Sequence, residues 1–313
     1  MKNMKKPKII ILGAGMSGIS CALSLCDSFD VHVYEKSRGV GGRLCAKTLD
    51  NGLFHFGAQF CKAQSSSLQN FLVENDAINF IGSSFDCELN DCVDTKNYFV
   101  GKRGMHALLK NYDQILNIKF NHRAVKIDEK NKLVHFESGK SEPYDIIISS
   151  MPLPQAQKIY ESKIEHDSKF SPCIAVGMTL NGTIENQHNA YKNINKEVAY
   201  LGSSHFYNDE NKVTWVLQFS PNFSLKMLDK PDQLLQTKAG NAVKDIIHGD
   251  YNIAHAGIFR WKYALCSRSN IKNEFTHVSK DAYAIGDWNI SPRIESAFNS
   301  GKALGKFLTE TKI

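Results

Sequence analysis

Apolar positions open the chain in two short, unbroken runs. Ile9 to Leu12 and Val31 to Tyr34 are each the length of a buried strand and too short for a helix. Between them Gly13-Ala14-Gly15-Met16-Ser17-Gly18 leads into a segment reaching Leu25 that reads as a helix starting near Met16. A third run, residues 144–150, reads as a buried parallel strand that ends in a sharp turn at Met151-Pro152. Residues 282–285 repeat the pattern, Gly286-Asp287-Trp288 makes a turn, and residues 293–308 form an amphipathic helix with Ile294, Ala297, Phe298 and Leu304 on one side. In the middle, residues 66–75 and 105–112 read as helices and 98–100 as a short strand. Residues 124–127 alternate and return as 133–136 through a turn at Asn131. Residues 173–180 and 213–219 are strand-like, and residues 231–247 are helical. The chain has no repeats and no low-complexity segment.

The first of these patterns carries chemistry. Strand, glycine turn, helix, second strand and acid follow in order, with Glu35 lying 22 residues beyond Gly13. In a dinucleotide site Gly13 permits the tight turn, Gly15 lets the backbone approach a pyrophosphate, and Gly18 lets the helix pack against the sheet. The pyrophosphate then rests on the open N–H groups around Met16 and Ser17, at the positive end of the helix dipole. Glu35 accepts hydrogen bonds from ribose hydroxyls.

After Glu35 the chain continues Lys36-Ser37-Arg38-Gly39-Val40-Gly41-Gly42-Arg43, which resembles the signature of the flavin amine oxidase superfamily. The resemblance implies an α/β fold: a Rossmann-like FAD-binding domain of the glutathione-reductase and p-hydroxybenzoate-hydroxylase type, with a discontinuous mixed-sheet substrate domain roofing the flavin. It places Lys36, Gly41, Gly42 and Arg43 beside the FAD phosphates, Val125 at the adenine through backbone atoms, and Asp287 on the ribitol chain. Gly286, Arg293, Ile294 and Ala297 then belong to a second FAD motif whose helix N-terminus favours the reduced anionic flavin. Within the superfamily, Gly57-Ala58-Gln59-Phe60, Gly104-Met105, residues 260–264 and residues 293–301 look like the renalase family, in family order along nearly the whole chain. That family oxidises misreduced dihydronicotinamide dinucleotides with FAD and passes the electrons to oxygen. Three departures lie near the expected substrate: Phe54-His55-Phe56 replaces Phe-Asp-His, Cys61 replaces an aromatic residue, and Arg103 replaces a proline. The superfamily's covalent cysteine lies near the C-terminus, and no cysteine follows Cys266, so FAD is expected to be noncovalent. By this resemblance residues 1–65, 98–155 and 256–313 form the FAD domain, and residues 66–97 and 156–255 the substrate domain.

Composition narrows the picture further. At 313 residues and 42% hydrophobic the chain can bury a large core. Its excess of 38 basic over 32 acidic residues is spread over single lysines such as Lys2, Lys5, Lys6, Lys8, Lys212 and Lys280. No basic stripe interleaved with aromatic residues appears, which argues against a nucleic-acid partner. The lysines before Ile9 imitate a signal peptide, but Gly13, Gly15 and Gly18 interrupt the apolar segment and no small-x-small cleavage site follows. The expectation is a cytoplasmic protein with no membrane partner. Its eight cysteines lack CxxC or zinc spacing and are expected to be reduced thiols, with no metal bound.

A flavin site works chiefly by alignment, so flat walls and a few polar contacts are the candidate residues. Trp261, Tyr263, Trp288, Phe60 and Trp215 are the aromatic candidates, each equally able to serve as core. Gln59 is placed to hydrogen-bond the flavin or a carboxamide. Arg260 and Lys262 meet a substrate phosphate or stand as solvated charge. His55 and Cys61 adjoin the Gly-Ala-Gln block, as catalytic groups or as packing. The favoured reading is a renalase-like oxidase of a small-molecule dihydronicotinamide dinucleotide, with oxygen as electron acceptor. An amine oxidase or desaturase acting on a small metabolite is the second reading. A binding module with structural FAD is the third.

Overall fold

The computed structural model describes residues 6–49, 52–94, 97–185, 188–204, 213–271 and 273–311. Lys2, Lys5 and Lys212 of the lysine scatter lie outside them. The chain divides into two compact units, residues 1–42, 109–170 and 266–313 in the first and residues 43–108 and 171–265 in the second.

The first unit is built on a six-stranded sheet in the order Thr276–Ser279, Ala282–Ala284, Ile146–Ser149, Lys8–Leu12, Asp30–Tyr34, Asn117–Lys119. The first pair is antiparallel and the other four pairs are parallel. Ile10 lies level with Ile147 on one side and His32 on the other. A parallel sheet is covered on both faces, which is why its central strands read as unbroken apolar runs rather than alternating ones. Ile10, Leu12 and Ile147 meet Val134, Phe136, Tyr160 and Trp288. Alternation along the strand turns the fully buried Ile9 and Ile11 to the opposite face.

The first helix, Met16–Leu25, and the last, Ile294–Glu310, cross at very short range. A methyl group at Gly301 would stand 2.1 Å from Ser20 Oγ and 2.2 Å from the Ser17 carbonyl, and one at Gly305 would stand 2.4 Å from Ser24 Cβ. Ser20 Oγ also donates to the Phe298 carbonyl at 3.0 Å. Small residues on both helices therefore set the crossing distance, and hydroxyl groups satisfy the polar atoms brought inside it.

The second unit carries a seven-stranded sheet: His248–Cys266, Phe170–Glu185, Thr214–Phe219, Val198–Ser203, Ala190–Lys192, Ser84–Asp86, Asp91–Asp94. On one face Ile174, Val176, Met178 and Leu217 pack with Leu235, Ala239 and Val243 of the helix Asp232–Ile246. On the other face Phe54 and Phe56 lie with Ala175 and Val216. Gly177 makes room there, since a methyl on it would stand 2.8 Å from Phe54 and 2.9 Å from Phe56.

The two units divide the chain at 42/43, 108/109, 170/171 and 265/266, against expected boundaries at 65/66, 97/98, 155/156 and 255/256; residues 43–65 bear on the first of these. The strands Lys47–Leu49 and Gly52–Phe54 pair with each other. Thr214 Oγ1 donates to the Leu53 carbonyl at 2.7 Å, which ties this ribbon to the second unit. The long strand His248–Cys266 has no counterpart among the sequence expectations. It is an edge strand whose residues are mostly half-exposed, so it lacks the buried alternation by which a strand is read.

Candidate active site

In the first unit the glycine turn has the shape its sequence implies. Gly13 has φ +114°, a backbone that favours glycine, and its N–H donates to the Tyr34 carbonyl at 2.8 Å. A methyl at Gly18 would lie 2.1 Å from the Gly13 carbonyl oxygen, so only glycine lets the helix start here. At Gly15 a methyl would meet nothing within 4 Å. No side chain caps Met16–Leu25 and no acid stands in its first turn, so the helix end around Met16 and Ser17 keeps its N–H groups for an anion. Alongside, Gly41 (φ +114°) bridges to Gly15 and donates its N–H to Ala14 at 2.9 Å, while Gly42 (φ +52°) presents bare backbone. The turn leaves bare backbone and an uncapped helix end, the features by which such turns hold a pyrophosphate.

Glu35 is buried at the end of its strand, and both its oxygens already accept from backbone: Oε2 from Ala14 N–H at 2.9 Å and Oε1 from Ser37 N–H at 2.7 Å. A carboxylate has about four acceptor positions, so two remain for ribose hydroxyls. Lys36 is exposed. Val125 falls where the ladder between Ala124–Asp128 and Leu133–Phe136 slips by one residue, which leaves it without a partner in the register.

Gly286 packs against Trp288, where a methyl would stand 2.5 Å from the indole nitrogen. Asp287 is buried, and its Oδ2 accepts from the Cys266 thiol at 3.3 Å. Arg293 is the exposed N-cap of the last helix; Ile294 and Ala297 behind it are half-buried, and Glu295 is buried in the first turn.

Sequence reasoning missed two residues here, Cys266 and Ser150. Ser150 Oγ donates to the Gly13 carbonyl at 3.0 Å and stands within 3 Å of the methyl positions of both Gly13 and Gly18. Its signal was positional: it follows a parallel strand adjacent to the glycine turn, at the carboxyl edge where such sheets place their ligands.

Trp288 is buried, its Nε1 donates to the Met151 carbonyl at 3.2 Å, and the His166 ring meets it edge-on. Trp215 lies buried within the second unit's core.

In the second unit Gly57, Ala58 and Arg43 interlock. Ala58 N–H donates to the Arg43 carbonyl at 2.9 Å, Gly57 N–H to Cys45 at 3.0 Å, and a methyl on Gly57 would fall 2.1 Å from the Arg43 oxygen. Arg43 Nη1 reaches the Ala264 carbonyl at 3.2 Å. Gln59 Nε2 donates to the carbonyls of His55 and Gly57, the second at 3.1 Å. Two carbonyl partners use both amide hydrogens.

Trp261 is half-buried, with Nε1 donating to Phe56 at 2.7 Å. Its ring lies 4.5 Å from Phe259, which stacks on Phe56 at 6.0 Å, and Phe56 stacks on Phe54 at 5.9 Å. These four rings make one aromatic face. Phe259 was missed, although it stands two residues before Trp261 on the same side of the strand. Tyr263 continues that side, half-buried, with Lys262 Nζ 5.8 Å from its ring centre. Arg260 turns to the opposite face, where it pairs with Asp232 and the Lys230 carbonyl.

His55 is buried, and burial pushes its imidazole down to about 4, so it is neutral above that pH. Cys61 is buried too, its backbone exchanging two hydrogen bonds of 2.8 Å with Phe99. All eight cysteines are free thiols. Among the described residues no cluster of three metal-ligating side chains occurs, and no helix is long and apolar enough to cross a membrane.

A family model described as an NAD(P)-binding Rossmann-like domain matches residues 11–74. Three solved structures resemble the chain over nearly its full length. Reduced UDP-galactopyranose mutase has a TM-score of 0.76 and 11% identity over 97% of this chain and 96% of the other. A putrescine oxidase redesigned in cofactor binding has 0.74 and 11% over 98% and 99%. A CLA-producing fatty acid isomerase from P. acnes has 0.68 and 11% over 99% and 100%. At these identities the likeness is one of fold: a Rossmann-like dinucleotide-binding domain joined to a separate sheet-rich domain.

Proposed function

We propose that the chain is an FAD-dependent oxidoreductase, and within that class an oxidase of dihydronicotinamide dinucleotides. The observation that carries the first part is the open turn at Gly15. It is flanked by the bare backbone of Gly41 and Gly42 and by the buried Glu35, at an uncapped helix end. When bound, FAD supplies a two-electron acceptor for a hydride, with oxygen as the expected second acceptor.

The protein's own contribution is binding and orientation. The N–H groups around Met16 and Ser17 hold the pyrophosphate, Glu35 takes the ribose, and Asp287 is placed for the polyol chain. In the second unit Gln59 is the candidate polar contact for a substrate carboxamide, and the half-buried rings of Phe259 and Trp261 are the candidate apolar surface for a planar ring. A dihydropyridine gives up hydride to form a cation and needs no general base. The neutral, enclosed His55 accords with a site that moves no proton through it. The likeness to a putrescine oxidase favours the second reading, oxidation of an amine.

The test is anaerobic mixing of the purified yellow protein with 2- and 6-dihydroNAD(P), with NAD(P)H and a panel of amines as controls. Rapid loss of the flavin band with the isomers alone is expected. Bleaching by amines only would favour the second reading, and a flavin that no reductant bleaches would leave FAD a structural part.

A further inference from the structure

In the first unit, the loop between the strands Asn117–Lys119 and Ala124–Asp128 lies against the acid assigned to the ribose. His122 N–H donates to the Glu35 carbonyl at 2.9 Å and Asn121 N–H to the Ser37 carbonyl at 3.0 Å, so residues 35–37 and 121–122 run side by side. Three residues beyond His122 comes Val125, the position that the resemblance gives to adenine. It is exposed and falls where the ladder slips. His122 therefore stands between the two positions expected to meet the adenosine.

The His122 ring is held in one orientation and one tautomer. Its Nδ1 lies 2.6 Å from the Phe120 carbonyl, which can only accept, so Nδ1 carries the hydrogen and Nε2 of the neutral ring carries a lone pair. The buried rings of Tyr34 and Phe136 pack against it from the core, with centres 5.6 and 5.5 Å away and planes inclined at 66° and 88°. Among the described residues Nε2 has no partner, and it is not an enclosed atom. The half-buried ring thus keeps one acceptor at the surface, beside the loop of Glu35. Moving the proton to Nε2 would set the Nδ1 lone pair against the Phe120 carbonyl, so the acceptor is locked.

We infer that His122 reads the base of the bound dinucleotide, its Nε2 accepting a hydrogen from the exocyclic amine of adenine. That amine has two hydrogens, enough for a backbone contact at Val125 and a side-chain contact at His122. Hypoxanthine and guanine carry a carbonyl oxygen in place of the amine, and its lone pairs would meet the lone pair of Nε2. A site that offers an acceptor rejects the analogue that has lost its donor. The inference rests on the proposed dinucleotide site, and it makes a side chain, beyond the backbone at Val125, responsible for the choice of base.

The test compares FAD with flavin hypoxanthine dinucleotide, which differs only in oxygen replacing the adenine amine, by fluorescence titration of the full chain. Wild type is expected to bind FAD at least roughly tenfold more tightly than the analogue. His122→Phe keeps a ring against Tyr34 and Phe136 and removes the acceptor. It is expected to weaken FAD about threefold to tenfold, leave the analogue within about twofold, and narrow the preference accordingly. A second readout needs no substitution. In protein carrying isotope-labelled histidine, nitrogen NMR is expected to show one Nε2 resonance that moves with FAD and stays put with the analogue. A preference unchanged in His122→Phe, or histidine resonances indifferent to FAD, overturns the inference and leaves the FAD reading standing. A chain that takes up neither dinucleotide overturns both.

Discussion

Gly15 and Gly18 stand three residues apart in one motif, yet the structure assigns them different work. A methyl at Gly18 would sit 2.1 Å from the Gly13 carbonyl oxygen and 2.7 Å from Ser150 Oγ, against an ordinary contact of at least 3.4 Å. The helix must withdraw by about 1 Å, and overpacking of that kind costs about 1–3 kcal/mol. At roughly 2–4 °C per kcal/mol, the melting temperature of Gly18→Ala should fall by roughly 2–12 °C, with or without FAD. A methyl at Gly15 meets no protein atom, and its φ of −83° suits alanine, so apoprotein stability should stay within about 0.5 kcal/mol of wild type. That methyl instead enters the space assigned to the pyrophosphate and lengthens charge-assisted bonds worth about 1.5–3 kcal/mol. The FAD dissociation constant should rise roughly tenfold to a hundredfold. The assays are thermal melts of apoprotein and holoprotein together with fluorescence titration of FAD. A Gly15→Ala protein that binds FAD like wild type would refute the placement of the pyrophosphate on this turn. An unperturbed Gly18→Ala melt would refute the packing argument.

His55 has a folded pKa of about 4 against 6.5 unperturbed, so between those values the unfolded chain takes up a proton that the folded chain refuses. Stability is full above pH 6.5 and falls by about 3 kcal/mol as the pH drops to 4; urea midpoints of His55→Gln should lack this component. Trp261→Phe removes the Nε1 bond to Phe56 at a cost of about 1 kcal/mol. It should raise KM for a ring substrate while leaving FAD affinity within about twofold, as paired titration and steady-state kinetics will tell. Cys266→Ala removes one donor to Asp287, whereas Cys266→Ser keeps it, so FAD affinity should drop severalfold in the first and be retained in the second.

What the sequence made legible is what repeats at a fixed period or requires glycine. Lys8–Leu12, Asp30–Tyr34 and Ile146–Ser149 are covered on both faces and therefore read as apolar runs. Gly13 and Gly18 are demanded by backbone and could be assigned without coordinates. Partners contributed from far along the chain were not legible. Nothing local to Ser150 says that its hydroxyl meets Gly13, and nothing near Cys266 says that its thiol points at Asp287. Nothing near Trp288 says that residues 151 and 166 pack around its indole. On the strand His248–Cys266 the arginine and tryptophan of one motif proved to face opposite ways, a consequence of alternation that becomes visible once the segment is known to be extended.

The crossing of the first and last helices bears on how the chain is made. The partner of Met16–Leu25 is Ile294–Glu310, so the dinucleotide-binding unit cannot close until residues 294–310 have been synthesised. At ~5–20 residues per second that is a wait of roughly 15–60 s. During it the waiting surface is Ser17, Ser20, Cys21 and Ser24, small and largely hydroxylated. A leucine-rich face would have offered a sticky target to neighbouring nascent chains. The same side chains that let the two helices approach closely leave little apolar surface on that face while it waits for its partner.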